Sequence, residues 1–330
     1  MKGNFANKYT RIKPYRVSLI LTDKCNIACR HCWLKSGPQK NARMKLEDAF
    51  DYINQAHEIP TVKLISITGG EPFLFPEILK KIISFAANSG LCTECVTNSF
   101  WAKTELSAIN VLKDLRSAGL NVIDISVDDF HQSQIPFGRV RNCFNAAKRV
   151  GLKIFIMCTL SSSSKIRLEN VVKLLNDDSI HILNGETLPK ILPAILAVES
   201  GFLPVGRGSR IPENELISGS RSLDGPCKFI LNDVAITPSG TVLPCCSAAG
   251  LVNGMEIGNA HRKRLGPIIR EASGQSIIKI LFEKGPKALQ ESVDAKPHKN
   301  YVNKCHLCYE ILTELSLKKW NLGKPKSNAR

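Results

Sequence analysis

The sequence predicts an α/β protein with a partial (β/α)6 TIM-like barrel followed by a small C-terminal domain. Two observations predict this class. Apolar runs of strand length alternate with helical stretches from Tyr15 onward, and several of the helical stretches end at glycine. The alternation stops near residue 205, where a segment rich in Gly, Ser and Pro begins. Alternating β and α elements favour parallel strands with helices outside them.

The predicted elements follow one another in order along the first 205 residues. The six strand candidates are residues 16–21, 63–68, 92–97, 122–127, 153–159 and 194–199. The five helix candidates between them are residues 46–57, 76–89, 104–118, 138–150 and 167–175. We expect the barrel to cover residues 1–205, a linker or long loop 206–226, and the second domain 227–330. In such barrels the active site lies at the C-terminal ends of the strands.

Composition predicts a cytoplasmic protein. The 330-residue chain is 43% hydrophobic, and it has no run near the ~20 apolar residues that a membrane span needs. Its N-terminus is basic but has no apolar core, so it does not resemble a secretory signal. Twelve cysteines in a cytoplasmic protein indicate metal or redox chemistry rather than disulfides.

The net charge of +16 allows three interpretations. The basic residues are scattered, with modest clusters at residues 2–16, 261–264 and 318–330. Aromatic residues make up only 6% of the chain and no nucleic-acid motif appears, which disfavours a nucleic-acid partner. An acidic peptide or protein partner and a simple solvated surface both fit the charge.

Three cysteines follow the first predicted strand in the run LTDKCNIACRHCW, at Cys25, Cys29 and Cys32. The C-x3-C-x2-C spacing can ligate three irons of a [4Fe-4S] cluster and leave the fourth iron open, whereas ferredoxins supply four cysteines. A structural zinc site is the alternative, but it needs four ligands and no fourth is nearby. The run, with His31 beside its last cysteine, resembles the radical S-adenosylmethionine (SAM) family. In that family SAM binds the open iron, and the fold is the same partial barrel.

Residues after the next strands complete the expected SAM site. Gly69, Gly70, Glu71 and Pro72 match the family's GGEP motif, which implies that Gly70 and Glu71 serve the SAM ammonium group; an ordinary turn is the alternative. The short polar side chains after strands three and four could contact the ribose or carboxylate of SAM, or could simply cap turns and helices; they are Asn98, Ser126 and Asp128. Arg207 could contact the adenine region or be a loop residue.

Five cysteines lie in the C-terminal region. Cys227, with Gly240 and Cys245, resembles the opening half of the SPASM domain, an auxiliary-cluster module of radical SAM peptide maturases, and Cys305-x2-Cys308 adds a later pair. No cysteine follows Cys308, which implies one auxiliary [4Fe-4S] cluster in a small iron–sulfur domain. Neighbours in an extended chain point to opposite sides, so we expect Cys227, Cys245, Cys305 and Cys308 as ligands. A zinc ribbon is the alternative.

Cys246 is the fifth member of this set and is left over. It is either a buried small hydrophobic residue or a thiol that donates a hydrogen atom. The phrase SVDDFHQ at residues 126–132 and the spare cysteine resemble radical SAM peptide epimerases, which convert L-residues of ribosomal peptides to D-residues. Asp233 lies thirteen residues before Cys246. The resemblance implies that Asp233 is an acidic residue that lines the substrate pocket; the alternative is a turn residue.

The resemblance implies an enzyme that reductively cleaves SAM to a 5′-deoxyadenosyl radical and modifies a peptide, most simply by epimerisation. Such an enzyme requires two [4Fe-4S] clusters, SAM, an external one-electron reductant and a peptide substrate. The charge of the chain suggests that this peptide is acidic. Thioether or carbon–carbon crosslinking is the alternative within this class. A non-catalytic iron–sulfur electron carrier or binding protein is the alternative outside it. The first strand begins near residue 16, so we expect no separate leader-binding domain before the barrel.

Overall fold

A computed structural model describes residues 13–183, 193–217, 222–293 and 300–322 of the chain, with side chains up to residue 317. The predicted basic clusters at 2–16 and 318–330 lie largely outside these residues. No helix among the described residues is long and apolar enough to cross a bilayer.

In the described part of the chain ten strands form one sheet, in the order β10-β9-β8-β1-β2-β3-β4-β5-β7-β6. Their bounds are Arg16–Thr22 (β1), Leu64–Gly69 (β2), Cys92–Thr97 (β3), Val122–Ser126 (β4), Lys153–Leu160 (β5), His181–Ile182 (β6), Ile195–Gly201 (β7), Asp233–Ile236 (β8), Thr241–Leu243 (β9) and Gly258–Asn259 (β10). The pairings among β1–β7 are all parallel. Among these described strands β10 and β6 are the two edges and the sheet does not close on itself, so the partial barrel is confirmed.

Ten α-helices accompany the sheet in the described residues. They are Leu46–His57 (α1), Pro76–Asn88 (α2), Glu105–Ala118 (α3), Asp129–Gln132 (α4), Phe137–Arg149 (α5), Leu168–Leu175 (α6), Leu265–Ser273 (α7), Ser276–Glu283 (α8), Pro286–Ser292 (α9) and Lys304–Leu322 (α10). Local chemistry sets their ends. In α3 the Thr104 side chain accepts from the Ser107 amide, and Gly119, at φ +116°, ends the helix in the left-handed region.

The predicted elements match these bounds to within one or two residues, and β3 and α1 match fully. The predicted sixth strand is β7. Strand β6 and helix α4 were not predicted, because a two-residue strand and a four-residue helix are too short to show a period. No helix or strand was predicted for the C-terminal region, where the structure has β8–β10 and α7–α10.

The strands present two different faces because alternate side chains point to opposite sides of a sheet. One face packs under the helices in the main hydrophobic core. This core includes Val17, Leu19, Ile123, Ile125 and Ile154. We call the opposite side the inner face. Among the described residues it carries Arg16, Ser18, Ile20, Ser66, Thr68, Glu94, Val96, Asp124, Ser126, Phe155, Met157, Asp233 and Ala235. Several of these are only half-buried, so the inner face borders open space within the barrel.

The C-terminal region joins the same sheet. Strand β8 pairs in parallel with β1, with Arg16 opposite Asp233 and Leu19 opposite Ile236. Strand β9 then returns antiparallel to β8, and β10 antiparallel to β9. The division of the chain at residues 206–226 stays a prediction. In the structure, however, the described residues 206–208 pack against the loop that follows β1.

Candidate active site

The first cysteine set lies on a loop directly after β1, which we call the cysteine loop (residues 23–37). Backbone hydrogen bonds shape it: the Cys25 amide donates to Gly37 O over 3.1 Å and the Cys32 amide donates to Cys29 O over 3.2 Å. Burial, together with the nearby Glu71, Cys29 and Cys32, raises the pKa of Cys25 to about 12. The thiols therefore lie close enough to interact, and they would lose their protons on binding iron.

The two glycines of the GGEP segment bring the end of β2 against the cysteine loop. A Cβ on Gly69 would lie 2.3 Å from Thr22 O, and one on Gly70 would lie 1.9 Å from Lys24 O. This contact is fixed by hydrogen bonds from the Gly70 amide to Thr22 O (2.7 Å) and from the Glu71 amide to Lys24 O (2.9 Å). The glycines are therefore required by the approach of two protein backbones, and a direct contact with SAM stays a prediction.

Glu71 ties the ends of β2 and β3 together. Its fully buried carboxylate accepts hydrogen bonds from the Phe73 amide (3.1 Å), the Thr97 hydroxyl (2.9 Å) and the Asn98 amide (2.8 Å). Burial raises its pKa to about 7 despite these donors. Pro72 starts a short 3-10 turn, Pro72–Leu74, immediately after it. This segment holds the strand ends in place beside the cysteine loop.

Asn98 connects Glu71 to the cysteine loop. Its side-chain amide donates to Asn26 Oδ1 over 2.9 Å and lies 3.7 Å from the sulfur of Cys25. It is buried at the C-terminal end of β3. The side chain is therefore placed to orient Cys25, whereas a contact with SAM stays a prediction.

Asp128 caps a helix and holds a histidine. Its carboxylate accepts from the amides of His131 (3.0 Å) and Thr159 (3.2 Å), and it contacts His131 Nδ1 at 2.9 Å. The cap alternative from the sequence is thus what the structure contains, and its role toward SAM stays a prediction. Ser126 lies half-buried at the end of β4, opposite Met157.

His131 also brings the SVDDFHQ segment to the cysteine loop. Its ring lies 5.0 Å from the ring of His31, centre to centre, and interacts electrostatically with Cys29. His31 stacks at 4.5 Å on Phe130. Ligand atoms of His31, Asp128 and His131 all lie within 4.8 Å of one another. The proximity of Asp128 and His131 is explained by their ion pair. We therefore assign the three residues to the surroundings of the cysteine loop.

Arg207 closes the loop from the other side. Its amide donates to Cys32 O (3.0 Å) and its Nε donates to Cys29 O (2.8 Å). A Cβ on the preceding Gly206, at φ +63°, would lie 2.2 Å from Trp33 O, so only glycine fits there. Arg207 Nη2 is buried and has no hydrogen-bond partner among the residues that the structure describes. An unpaired donor beside three cysteines fits a site that receives a ligand with acceptor atoms.

The second cysteine set gathers where β9, α8 and α10 meet. The Cys227 amide donates to Leu281 O, and Cys305 lies at the start of α10, where Asn303 Oδ1 accepts from its amide at 2.9 Å. Burial raises the pKa of Cys245 and Cys308 well above the usual value, and the neighbouring cysteines add to the shift. Cys245 interacts with Cys227, Cys305 and Cys308. Four cysteines in one place fit a fully ligated [4Fe-4S] cluster.

Cys246 lies on the other side of the chain from Cys245. It packs with Ile20, Ala235 and Leu243, which form a small cluster separate from the main core that contains Cys245 and Cys308. Burial and the charge of Asp233 raise its pKa to about 12. The Cys246 side chain lies near Ser18, which is on the inner face. Two adjacent cysteines therefore face two different environments.

Asp233 is the first residue of β8, not a turn residue, so the turn alternative is wrong. Its carboxylate accepts from the Ser18 hydroxyl at 2.8 Å and pairs with Arg16, which also contacts Glu94 at 3.3 Å. The Cys246 amide donates to Asp233 O over 2.9 Å. Asp233 and Cys246 are thus adjacent on the inner face.

Several residues of this region escaped the sequence analysis. Arg16, Glu94 and Asp124 form a polar group on the inner face, and His131 reaches the cysteine loop. The available signal was an acidic residue in the middle of each of two apolar strands, CTECVT and VIDIS, where burial normally excludes charge. Cys143 and Cys158 are buried in the main core.

Comparison with known proteins finds two family matches: the radical SAM superfamily over residues 19–175 and an iron–sulfur cluster-binding domain, SPASM, over residues 227–309. YydG of Bacillus subtilis, which is named for a role in peptide biosynthesis, is 22% identical over 273 residues, covering 82% of this chain and 81% of YydG. A GTP 3′,8-cyclase of Clostridium acetobutylicum is 26% identical over 264 residues, covering 68% of this chain and 79% of the cyclase.

Among solved structures, SuiB of Streptococcus suis bound to S-adenosylmethionine is similar in fold. The TM-score is 0.52 at 16% sequence identity, over 90% of this chain and 72% of SuiB. This similarity supports the fold. The family matches imply iron–sulfur clusters and SAM, and the two cysteine sets described above fall within the two matched segments.

Proposed function

The chain belongs to the radical SAM superfamily and carries a SPASM iron–sulfur cluster-binding domain, and on that premise we propose that it epimerises residues of a ribosomally made peptide from L to D. A peptide substrate is supported by the similarity to YydG over 82% of the chain. The inner face supports it as well, since half-buried Val96, Phe155 and Met157 border space that a peptide segment could enter.

The first cysteine set would hold three irons of the SAM-binding cluster, and the second set would hold the auxiliary cluster. When bound, the first cluster and SAM supply a 5′-deoxyadenosyl radical, using one electron from an external reductant. Asn98 orients Cys25, and Arg207 offers an unpaired donor to the carboxylate of SAM. These residues position the reactants and exclude water.

Cys246 would supply the hydrogen that completes epimerisation. Removal of hydrogen from the substrate Cα leaves a planar carbon radical, and the Cys246 S–H would then give a hydrogen atom to the opposite side. The raised pKa of about 12 keeps this thiol protonated, so it retains the hydrogen that it must donate. A second electron from the external reductant and one proton from solvent would afterwards restore the thiol from the sulfur radical.

The observation that carries the proposal is the separation of Cys246 from its neighbour. Cys245 lies with the other cysteines of the second set, whereas Cys246 lies with Ser18, Ile20 and Ala235 on the inner face. A cysteine that serves only for packing would not need polar neighbours such as Ser18 and Asp233 near its sulfur. The thiol therefore lies where a substrate bound within the barrel would reach it.

Cys246→Ala tests this role, with Cys143→Ala as the control because Cys143 is also a free cysteine but lies in the main core under the helices. The anaerobically reconstituted Cys246→Ala protein should keep its iron and its reductive cleavage of SAM, and should lose D-residue formation. With wild type in D2O, product should carry one deuterium at Cα, since a thiol hydrogen exchanges with solvent. Cys143→Ala should behave as wild type in all three measurements.

Two results would overturn the assignment. Loss of about half the iron in Cys246→Ala would make Cys246 a cluster ligand. Full product with unchanged turnover would make it a bystander, and thioether or carbon–carbon crosslinking would then be the better proposal. Failure of the wild-type protein to cleave SAM under strong reductant would reject radical chemistry altogether.

A further inference from the structure

Three buried carboxyl groups and one guanidinium meet on the inner face near Cys246. Asp124 is 6% exposed, Glu94 7% and Asp233 4%. Arg16 contacts both Asp233 and Glu94. Asp233 is also satisfied by the Ser18 hydroxyl. The single guanidinium is therefore shared, and acidic groups outnumber it.

Asp124 is the member of this group that lacks a partner. Its Oδ1 is buried and has no hydrogen bond within the described residues. The charged groups that act on it are Glu94, which repels the carboxylate, and Arg16, which attracts it. Lys153, on the same side of β5, is exposed at the start of that strand. Buried acceptors in folded proteins almost always have a donor, so an unpaired one on this face, beside the half-buried Val96 and Phe155, indicates a ligand.

The surroundings of Asp124 suit a long side chain. In the sheet register Asp124 lies between Val96 on β3 and Phe155 on β5, and both are half-buried. Ser126 and Met157 continue the same face toward the strand ends where the cysteine loop lies. A lysine or arginine can lay its apolar stem along such residues while its charged end reaches a carboxylate.

We propose that Asp124 and Glu94 bind a cationic side chain, lysine or arginine, of the peptide substrate as it lies within the barrel beside Cys246. The inference rests on the proposed function for its peptide, and it adds which residue type enters. A cationic end would supply the missing positive charge and a donor for Asp124 Oδ1. These carboxyl groups would repel an acidic side chain of the substrate. The acidic residues that the net charge leads us to expect in the substrate could therefore contact only the outer surface of the protein. An apolar residue would leave Asp124 unpaired.

The proton balance of binding distinguishes a cation from a neutral amide. Burial and the neighbouring carboxylates raise the pKa of both Asp124 and Glu94, so the free protein holds at least part of a proton there. A cation would displace that proton, and its affinity should rise with pH. A neutral amide would prefer the protonated acid, and its affinity should fall with pH.

The test uses anaerobically reconstituted protein with SAM bound and four capped tripeptides that carry lysine, norleucine, glutamine or glutamate between two glycines. Norleucine has an apolar chain of similar length without the charge. Dissociation constants are measured by ligand-observed NMR at about pH 6 and about pH 8. We expect the lysine peptide to bind about tenfold tighter than the norleucine peptide, and more tightly at the higher pH.

Asp124→Asn should reduce the lysine preference by about tenfold and remove its pH dependence. Glu94→Gln is a second variant in case the first folds poorly, and iron content checks both. Asp114→Asn is the matched control, because it makes the same change on an exposed residue of α3 that pairs with Lys80. It should leave all four affinities unchanged.

Equal binding of lysine and norleucine peptides, or no binding of any peptide, would overturn the inference, and so would a glutamine preference that falls with pH. A lysine preference that survives in both inner-face variants would also overturn it. SAM cleavage is measured separately in each sample. A protein that cleaves SAM and epimerises peptide without a lysine preference would refute this inference alone, whereas one that cannot cleave SAM would refute the proposed function.

Discussion

Gly70→Ala should disrupt the proposed SAM-binding site without changing any cysteine. An alanine Cβ at this position would lie 1.9 Å from Lys24 O and 2.5 Å from Lys24 C, and real Cβ atoms do not approach backbone within 3.0 Å. The obstacle is main chain rather than the movable end of a side chain. The end of β2 and the start of the cysteine loop must therefore separate.

The cost can be worked out from the contacts that separation would break. Forcing atoms into a packed region costs about 1–3 kcal/mol. The hydrogen bonds Gly70 N to Thr22 O and Glu71 N to Lys24 O hold this contact, and each contributes about 0.5–1.5 kcal/mol. The expected loss is about 2–6 kcal/mol, against a total stability of about 5–15 kcal/mol for a typical domain.

Chemical denaturation of the apoprotein measures this loss, and iron analysis after anaerobic reconstitution measures the cluster. We expect about half the iron to be missing, since the first cysteine set is displaced while the second is remote. Gly138→Ala is the matched control, because a Cβ there meets nothing within 4 Å inside helix α5, and helix propensity favours it by about 0.5–1 kcal/mol. A Gly70→Ala protein with wild-type stability and full iron would refute the reasoning.

Three further outcomes follow from the sites. Alanine at all three positions of the first cysteine set should remove about half the iron and abolish SAM cleavage; continued formation of 5′-deoxyadenosine would contradict the assignment. Arg16→Met should destabilise the fold by about 2–4 kcal/mol in denaturant, because it leaves buried carboxylates without their cation. The exposed Lys80→Met should cost no more than about 1 kcal/mol, and equal losses would count against the argument. Burial raises the pKa of Asp124, so the folded protein holds a proton that the unfolded chain releases, and stability falls as pH rises from the ordinary carboxyl pKa toward the raised one. Asp124→Asn should flatten that fall in thermal denaturation across a pH series, and an identical slope would show that Asp124 does not titrate.

The sequence predicted the barrel well because its signals are local. Helix periodicity, glycine stops and apolar runs are contained within ten or fifteen residues, and β3 and α1 were located to the residue. The cysteine loop was equally visible, because the spacing of Cys25, Cys29 and Cys32 carries its chemistry within eight positions.

What the sequence could not predict depends on contacts between distant residues. The pairing of β8 with β1 joins segments whose own composition does not specify a partner. The role of Gly70 was assigned to a ligand, whereas the structure places the backbone of Lys24 against it. The polar group of Arg16, Glu94 and Asp124 spans three strands. The sequence of one strand shows only that an acidic residue stands among apolar ones. The fold is needed to show that the three residues come together.

The pairing of β1 with β8 also constrains the order in which the chain can fold. Arg16 and Asp233 are 217 positions apart, so one side of the first strand has no partner until the ribosome has made most of the protein. An unpaired, apolar strand edge is a template for association with other chains, and contacts of such long sequence separation form slowly. We expect nascent chains to depend on chaperones during this interval. A chain shortened before residue 233 should aggregate even though it contains all of the matched radical SAM segment.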